Sequence, residues 1–260
     1  MENRLDMAIK KKYGYSREYA KDIILKGYVF INNKNIKKPA FKVLDSDVIV
    51  IDEKAIPKYV SRGGFKLEKA IQYFNISLKD KECIDIGAST GGFSDCMLQN
   101  GAKLVYAVDV GTNQLDSKIL NNNKVVSIEN LDIRKFELNK KFDFISVDVS
   151  FISLKKIIYK IYSILKDTGM VVMLIKPQFE AGRENIDKNG IVKNKNIHIK
   201  VLLDISNFCK EQGFFIKDIT YSPIKGGKGN IEYLICLDKQ KNDKFLDFKN
   251  IVFDAFEKLK

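Results

Sequence analysis

The chain has little of what builds covalent or metal-held structure. Its four cysteines, Cys83, Cys96, Cys209 and Cys236, form no CxxC pair, and His198 is its one histidine. That poverty argues against a zinc site or a disulfide framework and fits the reduced thiols of a cytoplasmic protein; no metal site is expected. Long apolar runs are missing too. The best, "MVVMLI" at Met170–Ile175, has the length of a buried strand, far short of the ~18 residues of a membrane span. The first residues, "MENRLDMAIKKK", contain no apolar h-region, so no secretory signal and no stable membrane association are expected.

What is present is a core-forming chain of 260 residues, 45% hydrophobic, with a net charge of +12. That length allows a large domain plus a small one. Residues 1–60 carry 13 Lys+Arg against 8 Asp+Glu, a net of +5. A surface of that sign suits a polyanion, although lysine-rich solvated faces are common without one.

Those first residues read as a unit. "RLDMAIKKKYG" is apolar at Leu5, Ala8 and Ile9, which predicts a helix ending at Gly14. "SREYAKDIILKG" predicts a second helix, capped by Ser16 and stopped at Gly27, with Ala20, Ile23 and Ile24 on its inner face. "YVFINNKNIKK" predicts a hairpin and "VLDSDVIVID" a strand. Together these signatures resemble the S4 domain, a small RNA-binding module. The resemblance implies an RNA-docking helical face with Arg4, Lys10, Lys11, Lys12, Arg17 and Lys21 on or near it.

"IPKYVSRGG" (Ile56–Gly64) has the Pro and Gly content of a linker. Beyond it, apolar runs such as "CIDIG", "LVYAVDV", "FDFISVDV" and "MVVMLIKP" alternate with helical patterns. That order predicts a doubly wound α/β sheet, with the last two strands, "FIKDITYSPI" and "EYLICLD", as antiparallel neighbours at one edge. The expected domains are therefore 1–56, a linker 57–64 and an α/β domain 65–260.

The first strand of that sheet runs into "DIGASTGGF", Asp85 to Phe93. Ligands of such sheets bind at the carboxyl ends of strands. The loop is neither GxGxxG nor a Walker loop, which disfavours phosphate cradling. Its glycines, Gly87, Gly91 and Gly92, let backbone approach a ligand closely. Asp109 ends the second strand, followed by Val110, and suits a ribose diol; Asp132 follows the third strand and suits an adenine amino group. A glycine loop, a ribose acid and an adenine acid in that order resemble the S-adenosyl-L-methionine site of class I (Rossmann-like) methyltransferases. The resemblance implies a cofactor set of Asp85, Gly87, Ala88, Ser89, Thr90, Gly91, Gly92, Phe93, Asp109, Val110 and Asp132.

For the acceptor atom, "LIKPQFE" stands where aminomethyltransferases carry (N/D)-P-P-(Y/F), and no cysteine lies there for cytosine-C5 chemistry. Instead Lys66, Asp148, Lys176 and Glu232 fall at or near strand ends, a set that resembles FtsJ-like ribose 2′-O-methyltransferases. Singly, each is more simply a surface charge. With the S4 signature, and with "VSRGGFKL", "VDVSFISL", "IKPQFEAGRE" and "GNIEYL", the chain is similar to the TlyA (hemolysin A) family. The resemblance implies methylation of a cytidine ribose in ribosomal RNA, with Lys176 as general base and ribosomal subunits as partners. A terminal helix at Phe245–Leu259 resembles that of members modifying both subunits. A lysine takes a proton only when neutral. Lys66 and the cofactor's positive sulfur favour that form, and Asp148 and Glu232 oppose it.

Two other readings stand beside this one. A non-catalytic RNA-binding assembly factor would keep the S4 unit and a degenerate sheet. A membrane-active cytolysin, suggested by the hemolysin name, lacks support in any long apolar run. His198 reads as structural, and "YSPIKGGKGN" (Tyr221–Asn230) as either a connector or a strip touching RNA phosphate.

Overall fold

A computed structural model describes residues 3–15, 17–241 and 244–259. The contacts divide the chain into Met1–Lys58 and Tyr59–Lys260.

In the first unit, β1 (Asn3–Arg4) leads into α1 (Leu5–Tyr13) and α2 (Arg17–Leu25), followed by β2 (Val29–Ile31), β3 (Lys34–Asn35), β4 (Lys42–Val43) and β5 (Ile49–Ile51). Gly14, at φ +73°, ends α1 by donating its N–H to the Lys10 carbonyl. The expected cap Ser16 lies outside the described residues. β2 and β3 form the expected hairpin, with Asn32 and Asn33 both at positive φ in its turn. Leu5, Ile9, Ala20, Ile23, Ile24 and Val29 close a small core. Asp6 is buried in it, held by Arg4 (3.0 Å) and Arg17 (3.1 Å). The Arg4 guanidinium, with Arg17 behind it, pulls its carboxyl down to about 2.

The second unit runs α3 (Gly63–Tyr73), β6 (Glu82–Ile86), α4 (Gly92–Gln99), β7 (Leu104–Val108), α5 (Ser117–Leu120) and β8 (Val125–Ile128). It continues with β9 (Phe142–Val147), α6 (Ile158–Ile164), β10 (Leu165–Ile175), α7 (Pro177–Glu180), α8 (Lys195–Glu211), β11 (Phe215–Tyr221), β12 (Tyr233–Asp238) and α9 (Phe248–Lys258). The strand order is β11-β12-β10-β9-β6-β7-β8. Pairing from β10 to β8 is parallel, and β12 and β11 close one edge antiparallel.

Alternate residues of the central strands enter two cores. Val171, Met173 and Ile175 face the layer of α6, α8 and α9, while Val172 and Leu174 face that of α3 and α4. Burial on both sides explains the near-continuous apolar runs. All four cysteines are buried and none forms a disulfide; burial pushes Cys83, Cys209 and Cys236 up to about 12, so these three stay inert thiols. His198 is buried between the Tyr233 hydroxyl (2.8 Å) and the Val192 carbonyl (2.9 Å). Among the described residues, no helix is long and apolar enough to cross a membrane.

Candidate functional site: strand ends around the glycine loop

The chain leaves β6 toward β7 and β8 on one side and returns through β9 and β10 on the other. The carboxyl ends of β6 and β9 therefore part at a switch point, where open α/β sheets bind ligands. Gly87 sits there at φ +83°. A Cβ on it would lie 2.7 Å from the Asp148 carbonyl oxygen, so the two strand ends meet this closely only because the residue is glycine. Ser89 (φ +47°) and Gly91 (φ +89°) turn the loop back onto α4. Gly92 touches the start of α3: a Cβ there would lie 2.2 Å from Ser61 Oγ.

Asp109 fastens this loop. Its carboxylate accepts from Ser89 N–H (2.8 Å) and Gly111 N–H (2.7 Å). Asp85 lies beneath the loop and lines neither cavity described below. It is fully buried, accepts from Ser94 Oγ (2.7 Å) and Ser146 Oγ (2.9 Å), and is pushed by burial up to about 6. The position expected to touch a cofactor thus carries the loop's foundation.

Two cavities open at the switch point. One, of about 450 Å³, has apolar walls from Val108, Val110, Leu131, Ile133, Ile152 and Ile157, with Asp109 and Asp132 at its polar side. Asp132 is clamped by Arg134, which holds its carboxyl down to about 2, so any ligand shares it with that cation. The second, of about 310 Å³, is lined by Gly87, Ala88, Ser89, Thr90, Gly92 and Phe93 and by Lys66, Asp148 and Lys176. Gly87, Ser89, Asp148 and Ser150 border both.

The four charged residues form two pairs. Lys66 Nζ donates to Glu232 Oε2 at 2.6 Å, joining α3 to the start of β12, and both side chains are nearly buried. Lys176 Nζ lies 2.7 Å from Asp148 Oδ1 and donates to Ser150 Oγ at 2.8 Å. Lys176 caps α7, whose Pro177 takes the first helical position, where a missing N–H costs nothing.

Several contributors escaped the sequence reading. The stretch expected as a linker is packed: Tyr59 is buried against Gly64, and Val60 N–H donates to the buried Asp95 carboxylate (2.9 Å). Ser61 and Arg62 consequently line the lysine cavity. Glu180 ties the segment after β9 to α7, accepting from Ser153 Oγ (2.6 Å) and Leu154 N–H (2.8 Å). Phe151, at φ +63° and 88% exposed, lies with its ring centroid 5.1 Å from that of Phe179. The basic glycine loop is no free connector. Its ends, Ser222 and Asn230, are buried and bonded to Glu232, Gly190 and Val192, which puts Ile224 and Lys225 on the cavity wall. In the first unit, Arg4 and Arg17 spend their guanidinium groups on Asp6, whereas Lys10, Lys11 and Lys12 are exposed and Lys21 half-buried.

Residues 59–239 match the FtsJ-like methyltransferase family and residues 3–49 the S4 domain. The chain is 48% identical over 236 residues to hemolysin A of Brachyspira hyodysenteriae, covering 89% of this chain and 98% of that one. It is 36% identical over 249 residues to the 23S rRNA (cytidine-2′-O)-methyltransferase TlyA of Campylobacter jejuni, covering 88% and 97%. A solved structure from Streptococcus thermophilus, described as a candidate hemolysin, is 45% identical with a TM-score of 0.75, covering 99% and 96%. The chain therefore belongs to the TlyA (hemolysin A) family of FtsJ-like methyltransferases, with an S4 domain in its first unit.

Proposed function

We propose that this chain transfers a methyl group from S-adenosyl-L-methionine to a ribose 2′-hydroxyl, that of a cytidine in ribosomal RNA, in the cytoplasm. The observation that carries this reading is the junction of two cavities at Gly87, one apolar with two acids and one lined by Lys66, Asp148 and Lys176, with Glu232 buried behind Lys66. The first fits an adenosine, with Asp109 free to accept from ribose hydroxyls through its remaining lone pairs. The glycine loop fits a methionine moiety, since Gly87, Ala88, Ser89 and Thr90 line the second cavity where it meets the first. When bound, the cofactor supplies an electrophilic methyl group.

The chain's own residues supply the rest. Lys66, held in place by Glu232, lines the second cavity, and Lys176 takes the 2′-hydroxyl proton beside Asp148. Arg62 and Lys225 line the same cavity and give it positive charge for the acceptor's phosphates. The Phe151–Phe179 pair offers a ring face to an unstacked base. Of the residues expected to dock RNA, Lys10, Lys11, Lys12 and Lys21 are not engaged by Asp6, and Arg4 and Arg17 have a shared role. The named activities of the Campylobacter jejuni relative and of the Mycobacterium tuberculosis one, a 16S/23S rRNA (cytidine-2′-O)-methyltransferase TlyA, support ribosomal RNA as substrate. Mass mapping of ribose methyls in ribosomal RNA from cells with and without the chain tests the reading. Identical maps would refute it.

A further inference from the structure

Lys176 Nζ touches two oxygens of different chemistry. Asp148 Oδ1, at 2.7 Å, can only accept while ionised. Ser150 Oγ, at 2.8 Å, accepts from Lys176, and a hydroxyl can accept and donate at once. Ser150 also borders both cavities, the one that holds Lys176 and the one with Asp109. It is exposed at the rim, where an incoming ribose can reach it.

We propose, resting on the methyl-transfer reading above, that Ser150 is a catalytic residue that relays the acceptor's proton to Lys176. In the reactive state Lys176 is neutral and its lone pair receives the Ser150 hydroxyl hydrogen. As the 2′-oxygen bonds to the methyl carbon, the carbon–sulfur electron pair returns to sulfur. The 2′-hydroxyl proton passes to Ser150 Oγ, and the proton of Ser150 passes to Lys176 Nζ. One positive charge leaves sulfur and one appears on the ammonium beside Asp148, so charge balances. The Lys176–Ser150 hydrogen bond of the present geometry is the product side of that relay.

The test uses the full chain with purified ribosomal subunits and S-adenosyl-L-methionine under single-turnover conditions. Ser150→Ala should slow transfer about 10²-fold, the low end for loss of an acid–base group because Lys176 remains. Its calorimetric affinity for the cofactor should stay within about threefold of wild type. Ser150→Thr keeps the hydroxyl and should restore most of the rate. The wild-type rate plotted against deuterium fraction should bow, as two protons in flight require. A Ser150→Ala rate equal to wild type, a Thr variant as slow as Ala, a matching loss of cofactor affinity, or a straight plot each overturns the relay alone. A wild-type chain that transfers no methyl overturns the functional reading and the relay with it.

Discussion

Replacing Asp109 should damage the proposed cofactor site twice over. Its carboxylate accepts two backbone N–H groups, from Ser89 and Gly111, and these fix a loop that includes Ser89 at φ +47°. Hydrogen bonds to a charged acceptor contribute about 1.5–3 kcal/mol each when buried. Asp109 is half-exposed, so roughly 1–3 kcal/mol for the two together is the reasonable figure. At ~1.4 kcal/mol per tenfold, loosening the loop alone should weaken S-adenosyl-L-methionine binding about 5- to 150-fold in Asp109→Ala. Lost ribose contacts add to that. A cofactor analogue lacking both ribose hydroxyls separates the two contributions: it should bind wild type more weakly, yet lose to Asp109→Ala only the loop share. Calorimetry gives both affinities, and a thermal melt checks that the sheet survives. Equal loss for cofactor and analogue would refute the ribose contact. Unchanged affinity for both would refute the whole argument, including the expectation that this carboxylate organises the loop.

Lys176→Ala should lower the single-turnover rate by ~10²–10⁴, and Lys176→Arg should be as slow because a guanidinium keeps its proton; an active Arg variant would leave this position a source of charge only. In the first unit, Arg17→Ala should cost about 1–2 kcal/mol in denaturant unfolding, since the buried Asp6 keeps only Arg4; no change would mean that the pair is idle. The depressed Asp6 stabilises above its unfolded value near 3.8, and that contribution should fade as pH falls toward about 2. Neutralising Lys10, Lys11 and Lys12 should instead leave the unit folded and flatten the log–log salt dependence of RNA binding by up to about 0.7–0.9 per lost phosphate contact; an unaltered slope would move docking elsewhere. Asp85 has the opposite sign to Asp6: its raised value contributes stability at low pH that is lost as pH rises through about 6. Asp85→Asn should therefore melt higher than wild type above pH ~6, by up to roughly 3 kcal/mol from ~1.36 kcal/mol per unit, and lose that advantage near pH ~4. A difference constant across that range would contradict the burial argument.

Much of this was legible in the chain itself, for a local reason. Strand and helix reveal themselves through periods of two and 3.6 residues. Turns reveal themselves through residues such as Gly14 and the Asn32–Asn33 pair, whose backbone angles few others accept. The α/β sheet, its antiparallel edge, the helices and hairpin of the first unit, and the strand-end positions of Asp109, Asp148 and Lys176 all follow from such signals, and the S4 unit from its resemblance to a known family. Only the tertiary structure decided which charges meet. Lys66 and Glu232 are 166 residues apart and touch because α3 packs beside the start of β12. Lys176 reaches Asp148 because β10 and β9 are parallel neighbours, with Met173 opposite Val147 near the ends of both strands. Proline and glycine in 57–64 read as freedom, yet the glycines there admit the Tyr59 ring and the Gly92 turn. The composition of a segment reports which conformations its backbone can adopt. Whether that backbone is loose or locked depends on what packs against it, and the packing partners come from distant parts of the chain.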